Sequence, residues 1–372
     1  MIDRNSYLMS SKRMANWDLL RSISMFLVVV VHTAGYLGPV HGTSIQGVMG
    51  EFALICDPIF FTLSGYFAIR PLKHSYSYYL SNKVRSIILP LFTYTILVYL
   101  YGTLTGGVTL SPSAFLEWTA GVLASSYWFI PSLIPYLIIA PFLYRMFSSL
   151  EKKEVRSLGF LMTVACAYGI FQTLIGSFLP NSRLAKIVNI INYIFPSGSQ
   201  VILGSYFTYF CLGYFVKIPP EYLEPKKIRA IEYSGIICWI AGALLTYFGY
   251  QRSDPSYLWF PATAAIFLLF SKMSIESASI CKALSWTARR SYSIYLLQVT
   301  TIGIVFTPLV NTGFLGQDST LATTIRLPLF LIALLSAYLL ALLIASVVDS
   351  SILRLIQAGY TALVKKPCRA KR

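Results

Sequence analysis

The chain has 372 residues, 56% of them hydrophobic and only 12% charged, with a mean hydropathy of +0.65. A soluble globular domain carries roughly 25% charged residues, so this balance excludes an ordinary soluble enzyme and points to an integral membrane protein. The net charge of +16 does not make a nucleic-acid partner, because the basic residues stand in small groups at the ends of apolar segments instead of in one patch.

A hydrocarbon core about 30 Å thick takes about 20 mostly apolar residues to cross. Ten segments meet that length within a few residues: 18–37, 51–70, 86–104, 128–147, 157–179, 199–217, 231–250, 256–271, 291–313 and 326–349. The stretch "LAKIVNIINYIF", 184–195, predicts a further buried or interfacial helix. Arg4, Lys12 and Arg13 ahead of the first segment resemble a secretory signal, but the apolar run is long and no small-residue cleavage site clearly ends it, which favours an uncleaved first helix. With ten spans both termini and every second loop are cytoplasmic. On that reading 26 of the 30 basic residues share one face, leaving Arg183, Lys186, Arg252 and Arg326 on the other.

The expected fold class is therefore an all-α integral membrane bundle of about ten transmembrane helices in a cell (plasma or inner) membrane. Residues 1–372 are expected to form one transmembrane domain with a cytoplasmic segment at 1–17 and a basic cytoplasmic tail at 350–372, near anionic lipid. The longest connection, 105–127, is too short for a separate soluble domain. The six cysteines show no CxxC spacing and mostly lie in apolar runs, so neither a disulfide framework nor a metal site is expected.

Ionisable residues inside spans are expensive and usually face a bundle interior or a wet cavity. In "DLLRSISMFLVVVVHTAGY", Arg21 and His32 stand eleven positions apart, which on a helix is about 20° past three turns and a rise of roughly 16 Å. Both therefore share one face. Asp18, three residues before Arg21, lies on nearly the same face and is placed to pair with it. The arginine alone could snorkel to the interface as an anchor. The second segment, "DPIFFTLSGYFAIR", holds Asp57 inside the apolar run, and its Ser64-Gly65 pair suits close helix approach or a local kink. Lys83 and Arg85 in "SNKVRSIILP" fall at the cytoplasmic mouth beside the level of Arg21, as topology markers or as phosphate ligands.

These residues resemble the membrane-bound acyltransferase 3 family. Its first-helix signature, an arginine or lysine, ten residues, then histidine, is matched by Arg21 and His32. Its "FFxLSGY" second helix is matched by Phe60, Phe61, Leu63, Ser64, Gly65 and Tyr66. "YWFIPSLIPYLIIAPFL", with Trp128, then "YFTYFCLGYF" and "SYSIYLLQ" follow in the family's order, so the similarity covers nearly the whole chain. It departs from the family at Asn82, where RxxR often opens the third helix, at Gln298, where many members have histidine, and at Ser126-Tyr127 before Trp128.

The resemblance implies an O-acyltransferase with no fused extracytoplasmic hydrolase-like domain. The acyl group, acetyl above all, would pass from acetyl-CoA or another acyl-CoA to a hydroxyl of a carbohydrate or lipid-linked glycan, with the donor as substrate and no resident cofactor. Arg21, Lys83 and Arg85 would then attract the nucleotide phosphates. His32 would serve as general base, with a pKa near 6.5 that suits neutral pH, or as a covalent acyl carrier. Ser64, Tyr66 or an arginine would supply the oxyanion donor. A transporter using the Arg/His stripe for coupling is the competing reading; against it, the chain shows no repeated halves and no paired interrupted helices.

Overall fold

The computed structural model describes residues 14–40, 43, 45–194, 204–217 and 224–369; expectations for 1–13, 199–203 and 370–372 lie outside them. Sixteen helices follow in chain order among these residues: α1 Ala15–Thr33, α2 Gln46–Ala53, α3 Cys56–Ala68, α4 Tyr76–Lys83, α5 Leu89–Leu104, α6 Pro112–Ala124, α7 Phe129–Ser148, α8 Lys152–Phe178, α9 Arg183–Ile194, α10 Tyr206–Phe215, α11 Pro225–Tyr247, α12 Trp259–Ser271, α13 Ala278–Ala288, α14 Ser291–Asn311, α15 Thr323–Ser350 and α16 Ile352–Arg369. No strand is present among the described residues, where a single antiparallel bridge joins Val40 and Thr43. In hydrocarbon a chain must satisfy its backbone internally, and the helix does this within each segment.

Eight helical segments are long and apolar enough to cross a membrane: Ala15–Leu37, Gln46–Ala68, Tyr76–Leu104, Phe129–Ser148, Lys152–Phe178, Pro225–Tyr247, Ser291–Asn311 and Thr323–Val364. The two other expected spans coincide with shorter helices, α10 and α12. Thirteen residues of α12 rise only about 20 Å. The rest of that depth is filled by the non-helical stretch 255–258, which is buried. Irregular backbone is tolerated at membrane depth when protein covers it. The 184–195 stretch is helical over Arg183–Ile194, with Leu184, Ile187, Ile190, Tyr193 and Ile194 exposed and only Ala185 and Val188 buried. That is the one-sided pattern of an interfacial helix.

Helix α1 lies centrally, packed against α2, α3, α13, α14 and α15. Its face bearing Met25, Val28 and Val29 enters one core cluster, while Trp17 and Leu20 enter a second. The second cluster is built on a parallel pair, α3 and α10, whose crossing has no room for a side chain. A Cβ on Gly65 would sit 1.8 Å from the Phe210 carbonyl oxygen, and one on Gly213 would sit 2.2 Å from that of Thr62. The Ser64-Gly65 pair thus serves close helix approach. Beyond α1, the chain is fixed by Gly316 N–H donating to the Tyr36 carbonyl at 2.8 Å and by Arg326 donating to that of Pro39. Cys56, Cys166, Cys211, Cys238 and Cys281 are free thiols.

Candidate active site

Two ends of α1 define two levels. At its N-terminal end Asp18 is buried, and Trp17 stacks on Phe267 at 5.4 Å and meets the Tyr66 ring, tilted, at 4.8 Å. Arg21, partly buried, sets its guanidinium over the Phe67 ring at 5.4 Å. Other cations gather round the same end of α3. Lys217 lies over the Tyr66 ring at 4.6 Å and donates to the Ile69 carbonyl at 3.3 Å. Arg70 is close enough to act electrostatically on both Lys217 and Lys83. Lys83 itself lies over the Tyr79 ring at 5.1 Å. The Lys217 ammonium, held by a ring and one carbonyl, keeps donors to spare for an anion.

Arg85 does not join this group. A π-helical turn, Val84–Ile88, follows Lys83 within the continuous helical segment Tyr76–Leu104. Gln357 of α16 donates to the Arg85 carbonyl at 3.0 Å, and Arg85 lines a separate cavity of about 480 Å³ with Arg354, Gln357 and Thr361. The two basic residues of "NKVR" therefore serve different walls.

Toward the other end of α1, His32 is exposed although Val28 and Val29, one turn earlier on the same face, and the adjoining Thr33 are in the core. Its imidazole is thus exposed where the preceding turn of the helix is packed. Arg21 meets Phe67, and α3 runs antiparallel to α1. Stepping ten residues back along α3 reaches Asp57, about 15 Å away, which matches the roughly 16 Å from Arg21 to His32. Asp57 and His32 thus share a level. Cys56 Sγ donates to Asp57 Oδ1 at 3.6 Å, and both Tyr206 and Tyr295 lie within electrostatic reach of that carboxyl. Aromatic rings wall this level: Trp128 lies 5.2 Å from Tyr206, and Tyr206 stacks on Phe61 at 4.7 Å.

The remaining expected residues are divided between the levels. Tyr66 belongs to the cation end. Ser64 is half-buried on α3 beside the glycine crossing. Gln298 is fully buried in α14, and neither side-chain amide atom finds a hydrogen-bond partner among the described residues. Tyr127 donates to the Leu296 carbonyl at 2.6 Å and also lines an open cavity of about 720 Å³ with Trp118, Val122, Thr300 and Ile304.

Arg70 and Lys217 were legible only as topology charges. Glu51, 2% exposed at the start of the second segment, escaped notice, although a carboxylate heading an apolar run is the same signal that singled out Asp57. It pairs with Arg252, whose Nε lies 2.8 Å from Glu51 Oε2.

The architecture defines a polytopic helical membrane protein with a cation-lined end and an acidic, aromatic end joined by the Arg21/His32 helix. The profile of the acyltransferase 3 family, described as an acyltransferase domain, matches residues 14–346, and the chain belongs to that family. It is also 24% identical over 273 residues to a protein named amino-acid racemase from Enterococcus faecalis, covering 68% of this chain and 36% of that relative. The chain thus spans about a third of that relative's length. No solved structure matches it. The chain is accordingly a multi-pass membrane member of that family.

Proposed function

We propose that the protein moves an acetyl group from acetyl-CoA to a hydroxyl of a cell-surface or exported glycan, working in a cell membrane with the donor entering from the cytoplasmic face. The observation that carries this reading is the placing of Arg21 and His32 on one helix. Arg21 stands among Arg70, Lys83 and Lys217, where phosphates of a nucleotide donor find charge-assisted donors. His32 stands about 16 Å further along, beside the acidic and aromatic level that an acceptor sugar suits.

In this scheme the acceptor oxygen attacks the thioester carbonyl while His32 takes its proton. The tetrahedral intermediate collapses by breaking the C–S bond, and the imidazolium returns the proton to the departing thiolate. Atoms and charge balance without a cofactor. Tyr66 is held at the donor level by Trp17 and Lys217, so an oxyanion donor at the His32 level comes from elsewhere.

Protein reconstituted in nanodiscs with acetyl-CoA should release free CoA thiol, and His32→Ala should reduce that release at least a hundredfold while its chromatographic profile is unchanged. Wild-type rates in His32→Ala would remove His32 as the catalytic base. Uptake of a solute by proteoliposomes with no acetylated product would instead favour a carrier.

A further inference from the structure

Beyond the level of His32, the loop 248–258 closes over α2 and brings together polar groups that the scheme above does not use. Glu51 is 2% exposed, Ser256 is 0% and Trp259 is 1%. Ser256 Oγ and Trp259 Nε1 both face the Glu51 carboxyl closely enough to act on it. Yet apart from the ion pair of Glu51 Oε2 with Arg252, neither Glu51 Oε1, nor that hydroxyl, nor that indole N–H completes a hydrogen bond among the described residues. Arg252 supplies charge: its Nε is 2.8 Å from Glu51 Oε2, its Nη1 is 3.6 Å from Asp254 Oδ1, and its guanidinium lies over the Trp259 ring at 4.8 Å. Gly242 gives the carboxyl its space, since a Cβ there would stand 3.2 Å from Glu51 Oε1.

This enclosure adjoins the acidic and aromatic level. Tyr206 donates to Asp254 Oδ1 at 2.7 Å and borders Trp128, while Asp57 lies within electrostatic reach of both Asp254 and Arg252. Buried polar atoms without partners are costly. Here a carboxylate acceptor, a hydroxyl and an indole donor converge, and that set is complementary to a neutral hydroxyl group, which donates to the first and accepts from the others. Three carboxyl groups, Glu51, Asp57 and Asp254, stand against one guanidinium, so the surroundings oppose an anion.

We propose that Glu51, Ser256, Trp259 and Arg252 form the acceptor subsite of this enzyme, reading the hydroxyl groups of a neutral sugar ring and rejecting an acidic one. This rests on the acyltransferase reading and names its substrate class. Rings of Trp128 and Tyr206 offer faces against which the apolar side of a pyranose rests.

The test is calorimetric titration of the nanodisc protein, without acetyl-CoA, using methyl glucoside, methyl galactoside, methyl N-acetylglucosaminide and methyl glucuronide. At least one neutral glycoside should bind at least tenfold more tightly than the glucuronide. Glu51→Gln should weaken that neutral glycoside roughly tenfold, because a charged acceptor is lost, and should tighten the glucuronide; Ser256→Ala should weaken the neutral ligand severalfold. Opposite signs for the two ligands cannot come from a misfolded protein. Absence of binding by all neutral glycosides, preference for the glucuronide, or a parallel loss of both ligands in Glu51→Gln would overturn the subsite. Failure of wild-type protein to cleave acetyl-CoA is a separate result, and it would strike the catalytic reading alone.

Discussion

Arg21 and Arg85 illustrate what one residue's surroundings decide. Both are basic, and sequence alone sets both at the cytoplasmic mouth, yet only Arg21 stands against the end of α3, with Lys217 and Arg70 near it. Substituting Arg21 or Lys217 by alanine should raise the KM for acetyl-CoA at least tenfold, as the loss of a charge-assisted contact to phosphate requires. Arg85→Ala should change it less than threefold. Steady-state CoA release across a donor titration checks all three, and equal effects at Arg85 and Lys217 would contradict the division of walls. The Arg21/His32 stripe was legible because helical periodicity needs only the sequence. Glu51, Arg252 and Ser256 were not, since their convergence depends on a loop two hundred residues downstream folding back over α2.

At the scale of the helix, the α3–α10 crossing makes the sharpest demand. Gly65 and Gly213 meet backbone, not the flexible end of a side chain. Inserting even a methyl group requires the helices to part. Overpacking a core typically costs 1–3 kcal/mol, occasionally more, and here the obstruction is a carbonyl oxygen, so Gly65→Ala or Gly213→Ala should lie at or above the upper end. A lowered thermal midpoint in detergent, with reduced accumulation in the membrane, would register it; an unchanged midpoint would mean the helices can separate freely. The sequence made the small residue visible as a packing device but not its partner. Likewise, hydropathy located α12 and showed it to be short, but not that a buried loop completes it, because an apolar window reads composition and is blind to where helical backbone gives way.

For the whole molecule, eight segments are long and apolar enough to cross a membrane, and the charge segregation of the sequence leads to the expectation that both termini are cytoplasmic. That orientation gives a direct expectation. In a background without native cysteines, Ser319→Cys in the loop after α14 should react with an impermeant maleimide on intact cells. Ser274→Cys in the loop after α12 should react only after permeabilisation. The reverse pattern would invert the protein and with it the side from which the donor enters. The positions of the long apolar segments were open to sequence because they follow from hydrophobic length; the burial of the 255–258 stretch was not.

The glycine crossing has a mechanical meaning as well as a steric one. Helix α3 carries Asp57 at one end and Phe67, under Arg21, at the other; α10 begins at Tyr206 and runs to Lys217 just past its end. With backbone seated on backbone between them, the pair has no compliant layer, so the separation between the level of Asp57 and Tyr206 and the level of Phe67 and Lys217 is set by main chain and not by adjustable side chains.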